Sequence, residues 1–208
     1  MIRRTLTSLS GAAVLTLSLA STSLAETLPN GNVTFASGSF TQTIKGVEYA
    51  WFVRAARNTV DGTTAVTASY NTAVDTTGHG GDQDGQPGAR FISFNGQGTV
   101  PILIPATLGF AIAGARLHGT ETTFDTCTGA EAVVNKRHTV ALALEATAPA
   151  ETSSGQKCVD TEQVLKSTFT FRTAAGFAFV NGRRSAVADG TIGHDVWSYQ
   201  PDPSCADA

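Results

Sequence analysis

Between Gln163 and Ile192 the chain alternates with a period of two, and this constrains the fold more than any other stretch. Leu165, Ser167, Phe169, Phe171 and Thr173 fall on one side of an extended strand, and Lys166, Thr168, Thr170 and Arg172 fall on the other. That period belongs to strands, not to the 3.6-residue repeat of a helix. Ala174-Ala175-Gly176 can turn easily, after which Phe177 and Phe179 resume the alternation. Asn181-Gly182 accepts the positive φ angles of a tight hairpin turn. A third strand then runs from Arg183 or Arg184 to Ala188 and ends at Asp189-Gly190. Adjacent antiparallel strands carrying four phenylalanines need a second apolar layer to cover them.

The preceding residues supply candidates for that layer. Asn32 to Ile44 predicts one strand interrupted near Gly38 or two short ones, followed by a turn at Lys45-Gly46. In the next strand Val47, Tyr49, Trp51, Val53 and Ala55 share a face, and after a turn at Asp61-Gly62 so do Val66, Ala68, Tyr70, Thr72 and Val74. Tyr49 and Trp51 are expected in the core, because aromatic residues dominate such interiors. Asp75 to Ala89 breaks the pattern and reads as a surface loop. Strands resume at Arg90 to Asn95; Val100, Ile102 and Ile104 follow, with Pro101 and Pro105 making this piece an edge strand or an irregular crossing. Leu108 to Ala113, a Thr-rich piece from Thr120 to Cys127, and His138 to Thr147 follow; Pro149 to Gln156 reads as a polar loop, and Asp195 to Tyr199 as a last short strand. About ten short strands with turns between them predict an all-β, antiparallel β-sandwich, with a closed antiparallel β-barrel as the second choice. No repeat or linker divides residues 26–200, so one domain is expected, ending in a polar tail over residues 201–208.

The first residues read as a leader. Met1 to Arg4 is basic, Leu6 to Leu19 is apolar, and Ser23-Leu24-Ala25 offers the small residues a signal peptidase reads, which predicts cleavage between Ala25 and Glu26. Arg3-Arg4 serves an ordinary basic region better than a twin-arginine signal, whose further context is missing. No later segment approaches the roughly 20 apolar residues of a spanning helix. The expected location is therefore secreted or periplasmic, with no transmembrane segment. The formal charge of the whole chain is −3 and the leader holds two arginines, so the remainder is more acidic still. Without basic clusters it is a poor partner for nucleic acid. An oxidising compartment lets disulfides persist, and the three cysteines allow one intramolecular bond. Cys127 with Cys158 is the expected pair, because they bracket one candidate strand; Cys158 with Cys205 is the rival.

Two places could carry chemistry. Asp75, Asp82 and Asp84 lie in the glycine-rich loop, and calcium is the ion such oxygen donors would take. The spacing matches no known calcium loop, so a solvated loop is the plainer reading and no cofactor is required. Trp197 and Tyr199, two apart beside Asp195, would project from one face and could stack on the sugar rings of an extracellular glycan. Catalysis has no comparable motif. His79, His118, His138 and His194 are scattered, and His194-Asp195 are neighbours that a strand points to opposite faces. The expected function is thus a non-enzymatic exported module that binds an extracellular ligand or belongs to the envelope. The alternative is a polymer hydrolase using the Asp75 to Asp84 loop with His194 or Asp195. A small-molecule carrier would follow if the strands close around an apolar interior.

Overall fold

The computed structural model describes residues 31–75, 88–159, 163–202 and 204–205. The leader, Asp82, Asp84 and His79 lie outside them. The strands are β1 Gly31–Ile44, β2 Val47–Asn58, β3 Thr64–Asp75, β4 Ala89–Gly98, β5 Ile102–Leu103, β6 Phe110–Asp125, β7 Glu131–Ala146, β8 Glu151–Cys158, β9 Gln163–Val180 and β10 Arg183–Pro201. Among the described residues there is no α-helix, and so none long and apolar enough to cross a membrane. Every ladder is antiparallel, in the order β10-β1-β2-β3-β4-β6-β7-β9-β8. Because β9 also pairs with β10, the path through β1, β2, β3, β4, β6, β7, β9 and β10 returns to its start. The all-β antiparallel architecture read from the sequence is therefore the one adopted, with its two layers continuous at both edges.

Those layers meet across a filled core. Trp51 of β2 packs against His138 of β7, ring centroids 5.3 Å apart, although the two strands lie four steps apart along the path. Tyr70 and Phe94 stack beside them at 5.3 Å, and Leu117 and Leu142 are fully buried. The turns are those the dipeptides call for: Lys45 and Gly46 have φ of 52° and 82°, and Asn181 and Gly182 have 49° and 80°. Two positive-φ residues match the right-handed twist of a hairpin. Closing the sheet demands sharp coiling, and it is accommodated where side chains are missing. A Cβ on Gly119 would collide with the Asn95 carbonyl, and one on Gly176 with the Ala143 carbonyl.

Several short strands of the sequence reading belong to longer ones. β6 runs unbroken through Leu117 and His118, and β9 continues through Ala174-Ala175-Gly176 without turning. β10 joins the third strand of the sequence pattern to the segment containing Trp197, with only a register shift between Val187 and Gly190. The expected loop from Pro149 to Gln156 is mostly β8, which continues β7 end to end along the same side of β9: Ala146 pairs with Ala174 and Glu151 with Phe171. This arrangement also corrects the disulfide. Cys127 follows β6 and Cys158 ends β8, so the β7–β8 run holds them at opposite ends. The bridge is Cys158–Cys205, with Cα atoms 5.6 Å apart. It forms because Pro201, at the end of β10, pairs with Gln163 at the start of β9, and Cys158 pairs with Val164. Cys205 is consequently anchored, and it is buried.

The phenylalanines of β9 also differ from expectation. Ala174 and Ala178 face the interior, while Phe177 and Phe179 face out at 39% and 38% exposure. β6 does likewise, burying Ala111, Ala113 and Ala115 and exposing Phe110 and Ile112. The large side chains of β2, β3, β4 and β7 already occupy the narrow interior, so the facing strands supply small residues there.

Candidate functional site

On β1 the inward row is Asn32, Thr34, Ala36, Gly38 and Phe40, polar at the start and apolar further in. The ladders place His194 of β10 and Arg57 of β2 on either side of Thr34. These three residues form one cross-strand row at the mouth of the closed sheet. Thr59, just past β2, turns back over them: its backbone N–H donates to the Asn32 carbonyl at 2.8 Å, and its hydroxyl to the Asn32 side-chain oxygen. The same oxygen accepts from His194 Nε2 at 2.5 Å. With Nε2 donating, a neutral His194 keeps Nδ1 as an acceptor.

The opposite wall is the segment from Ile102 to Leu108. Ile102 and Leu108 are buried at 7% and 4% exposure, and Ile104 packs against the same core. Leu108 has φ of 53°, a conformation a leucine adopts only when its surroundings enforce it. Here its N–H donates to the Pro105 carbonyl at 2.9 Å, and Arg172 donates through Nη1 to the Thr107 carbonyl at 3.3 Å and through Nε to that of Ala148 at 2.8 Å. Between this strap and the polar row lies a cavity of about 340 Å³, lined by Asn32, Thr34, Arg57, Thr59, Ile102, Ile104, Ala106, Leu108 and His194. No carboxylate is among the lining residues. The arrangement offers hydrogen-bond donors and a guanidinium on one side and aliphatic surface on the other.

No protein-family model, curated protein or solved structure matches the chain. The site therefore rests on its own geometry.

The residues singled out in the sequence are placed as follows. Trp197 is buried, closing a smaller cluster on the outer face with Val33, Phe35 and Ala56, whereas Tyr199 is 41% exposed. The two do not form a common exposed strip. Asp195 shares that outer face, half-buried; burial pushes its carboxyl above the usual range, and Arg54 and His194 pull it back. Arg54 lies over the Phe35 ring, 4.8 Å from its centroid, and Phe35 stacks on Phe169 at 5.7 Å. His194 points into the cup and Asp195 away from it, so they do not act on one substrate atom. Asp75 ends β3. No group of three or more His, Cys, Asp or Glu side chains suited to a metal ion occurs among the described residues.

A polar cluster that the sequence reading missed lies beside the Trp51, Tyr70 and Phe94 rings and is partly exposed. The Tyr70 hydroxyl donates to Glu121 Oε2, and Glu121 Oε1 pairs with Lys136 Nζ at 3.5 Å. Burial, and then Glu121, push the Tyr70 phenol above its ordinary range. His138 accepts at Nδ1 from the Asn181 amide at 2.9 Å, and its Nε2 is buried without a partner among the described residues, as is Trp51 Nε1. The sequence signal for both polar sites was present: Asn32, Thr34 and His194, like Glu121 and His138, occupy inward positions of otherwise apolar alternations.

Proposed function

We propose that this chain is an exported, non-catalytic binding protein whose site is the cup at the mouth of the sheet, and that its ligand is a small amphipathic molecule with an anionic head. One observation carries the reading: the row His194, Thr34, Arg57 faces an aliphatic wall, with no acid among the lining residues. A cavity at the low end of the roughly 300–1,000 Å³ of ligand sites, apolar on one side and with a few convergent polar groups, is the usual form of such a pocket. Arg57 would hold a carboxylate through charge-assisted hydrogen bonds. Thr34 and Thr59 would supply hydroxyls, and Ile104 and Leu108 would receive the tail. Export is supported by the leader pattern of residues 1–25, and the Cys158–Cys205 bridge suits an oxidising compartment.

Calorimetric titration with octanoate and with octanol tests the proposal, because the two share a tail and differ in the head. Octanoate is expected to bind at least about tenfold more tightly, since a hydrogen bond to a charged group contributes about 1.5–3 kcal/mol. Arg57→Gln, at an exposed residue, should reduce octanoate to the level of octanol. Equal affinities in the unaltered protein would remove the anionic head from the reading. Silence from both ligands at millimolar concentration would remove the cup.

A further inference from the structure

The outer face of β6 and β7 carries Arg116, His118 and Arg137 with no acid beside them. Leu117 of β6 and His138 of β7 are opposite each other and face the interior, so the next pair in the ladder, His118 and Arg137, faces solvent. Arg116 lies two residues before His118 on the same face, roughly 7 Å away along the strand. In the following outward row Thr120 pairs with Asn135, and β4 extends both rows, with Gln97 opposite His118 and Asn95 opposite Thr120. All of these side chains are exposed. Between the two rows the inward pair Gly119 and Lys136 offers only backbone to this side. The result is a depression of about 590 Å³, walled by His118 and Arg137 along one edge and by Thr120 and Asn135 along the other.

No described residue neutralises this group. Arg116, His118 and Arg137 have neither a hydrogen bond nor an ion pair among the described residues. Glu121, the neighbour of Thr120, faces the interior and pairs there with Lys136. The outward acids of β7 are Glu131 and Glu145, about 20 and 27 Å from Arg137 along the strand at 3.4 Å per residue. Both distances exceed the roughly 8 Å over which exposed charges act at physiological ionic strength. Like charges directly opposite each other on a sheet are destabilising, and a protonated His118 stands in that relation to Arg137. The chain as a whole carries a formal charge of −3, so a carboxylate-free cluster of the opposite sign is not a by-product of its composition.

An oxyanion answers each of these features. The Arg137 guanidinium offers paired N–H groups in the geometry of a carboxylate or sulfate, and Arg116 and His118 add donors from β6. The hydroxyl of Thr120 and the amides of Asn135, Asn95 and Gln97 both donate and accept, which suits hydroxyl groups around the charge. No aromatic ring lines the depression on which a nucleobase could stack. Its volume lies within the roughly 300–1,000 Å³ of small-ligand sites. We propose that this face binds an acidic glycan, with a sulfate or carboxylate seated against His118 and Arg137 and the adjoining sugar hydroxyls against Thr120 and Asn135. The site shares no residue with the lining of the cup and does not depend on what the cup binds.

Calorimetric titration with dextran sulfate, uncharged dextran and inorganic sulfate tests the proposal. Dextran sulfate is expected to bind at least about tenfold more tightly, per sulfate group, than the inorganic ion, and uncharged dextran to give no heat. Arg137→Glu, at an exposed residue, should weaken dextran sulfate at least about tenfold and leave the far-ultraviolet spectrum unchanged. Lys166→Glu makes the same change of charge at an exposed residue of β9 and should weaken it less than about twofold. No heat from dextran sulfate overturns the proposal. Inorganic sulfate bound as tightly as the polymer overturns the glycan as its source. Equal losses from Arg137→Glu and Lys166→Glu overturn the site, since the polymer would then be answering diffuse charge.

Discussion

Gly119 and Gly155 separate two uses of the same residue. At Gly119 β6 passes so close to β4 that a Cβ would meet the Asn95 carbonyl and, at 2.5 Å, the Gly96 Cα, both of them backbone. Neither can rotate away, so Gly119→Ala must push the paired strands β4 and β6 away from each other. A loss of about 1–3 kcal/mol, the usual cost of overpacking, is expected in denaturant unfolding. Gly155, in β8, has nothing within 4 Å of the same position, and Gly155→Ala should change stability by less than about 0.5 kcal/mol. Equal effects at the two sites would show that the close passage of β4 and β6 is not what Gly119 serves. His138 makes a second residue-scale case. Burial among Trp51, Tyr70 and Phe94 lowers its pKa, against an upward pull from Glu121, with Lys136 acting in the same direction as burial. With the folded pKa below the unfolded value of about 6.5, the unfolded chain takes up the proton first as pH falls. Stability should therefore be level in this respect above about pH 6.5 and decline below it, by at most about 1.4 kcal/mol per pH unit, until the folded imidazole also titrates. Asp195, whose raised carboxyl favours stability at lower pH, acts in the opposite sense and is common to both proteins in the comparison. His138→Phe keeps the ring packing and removes the proton site, so the difference in stability between the two proteins should vary with pH between 5 and 7. A constant difference would mean that His138 does not titrate in this window.

At the scale of elements, what the sequence made legible depended on whether a strand has one apolar face. β2, β3 and the second half of β7 do, and the inward sets Trp51 and Val53, Val66 and Tyr70, and Leu142 and Leu144 were readable from alternation alone. β8 has no such face: its residues through Lys157 are exposed, and it is held by ladder bonds to β9 and by hydroxyl pairs such as Ser154 with Thr168 at 3.2 Å. A run of polar residues paired through its backbone carries the composition of a loop, and only the partner strand reveals it. In β6 and β9 both faces are apolar, so the pattern fixes the period without fixing which face turns inward. Alanine won that choice over phenylalanine, because the interior had room for one set of large side chains and β2, β3 and β4 had supplied it. The cup was only partly legible. Asn32, Thr34 and His194 interrupt apolar alternations, a pattern visible in the sequence, but their meeting depends on the first strand pairing with the last. Trp197 and Tyr199 show the reverse, since spacing put them on one face and the cluster with Val33 and Phe35 then buried one of them.

At the scale of the whole molecule, the pairing of β1 with β10 closes the sheet and assembles the site, and nothing local favours it. Thr34 and His194 are opposite each other in the ladder although almost the whole described chain lies between them. Such contacts are costly in chain entropy and form late, after the hairpins that need only their own turns. The disulfide acts on this step. Cys158 and Cys205 are 47 residues apart in sequence, and their bond fixes the end of β10 beside the end of β8. Closing a loop of that length in the unfolded chain raises its free energy by about 4 kcal/mol in the loop-entropy description. Cys205→Ser should therefore lower the unfolding free energy by about 2–4 kcal/mol, read from urea melts followed by tryptophan fluorescence, and the same loss should appear in the unaltered protein under reductant. Cys127→Ser should not reproduce it, because Cys127 lies outside the bridge, at the far end of the β7–β8 run. If the loss followed Cys127 instead, the chain would be pairing Cys127 with Cys158, and the end of β10 would be held by its ladders alone. If neither substitution changed stability, the closing of β10 onto β1 would owe nothing to the covalent link, and the ladder flanking Trp197 would be sufficient to secure the mouth of the sheet.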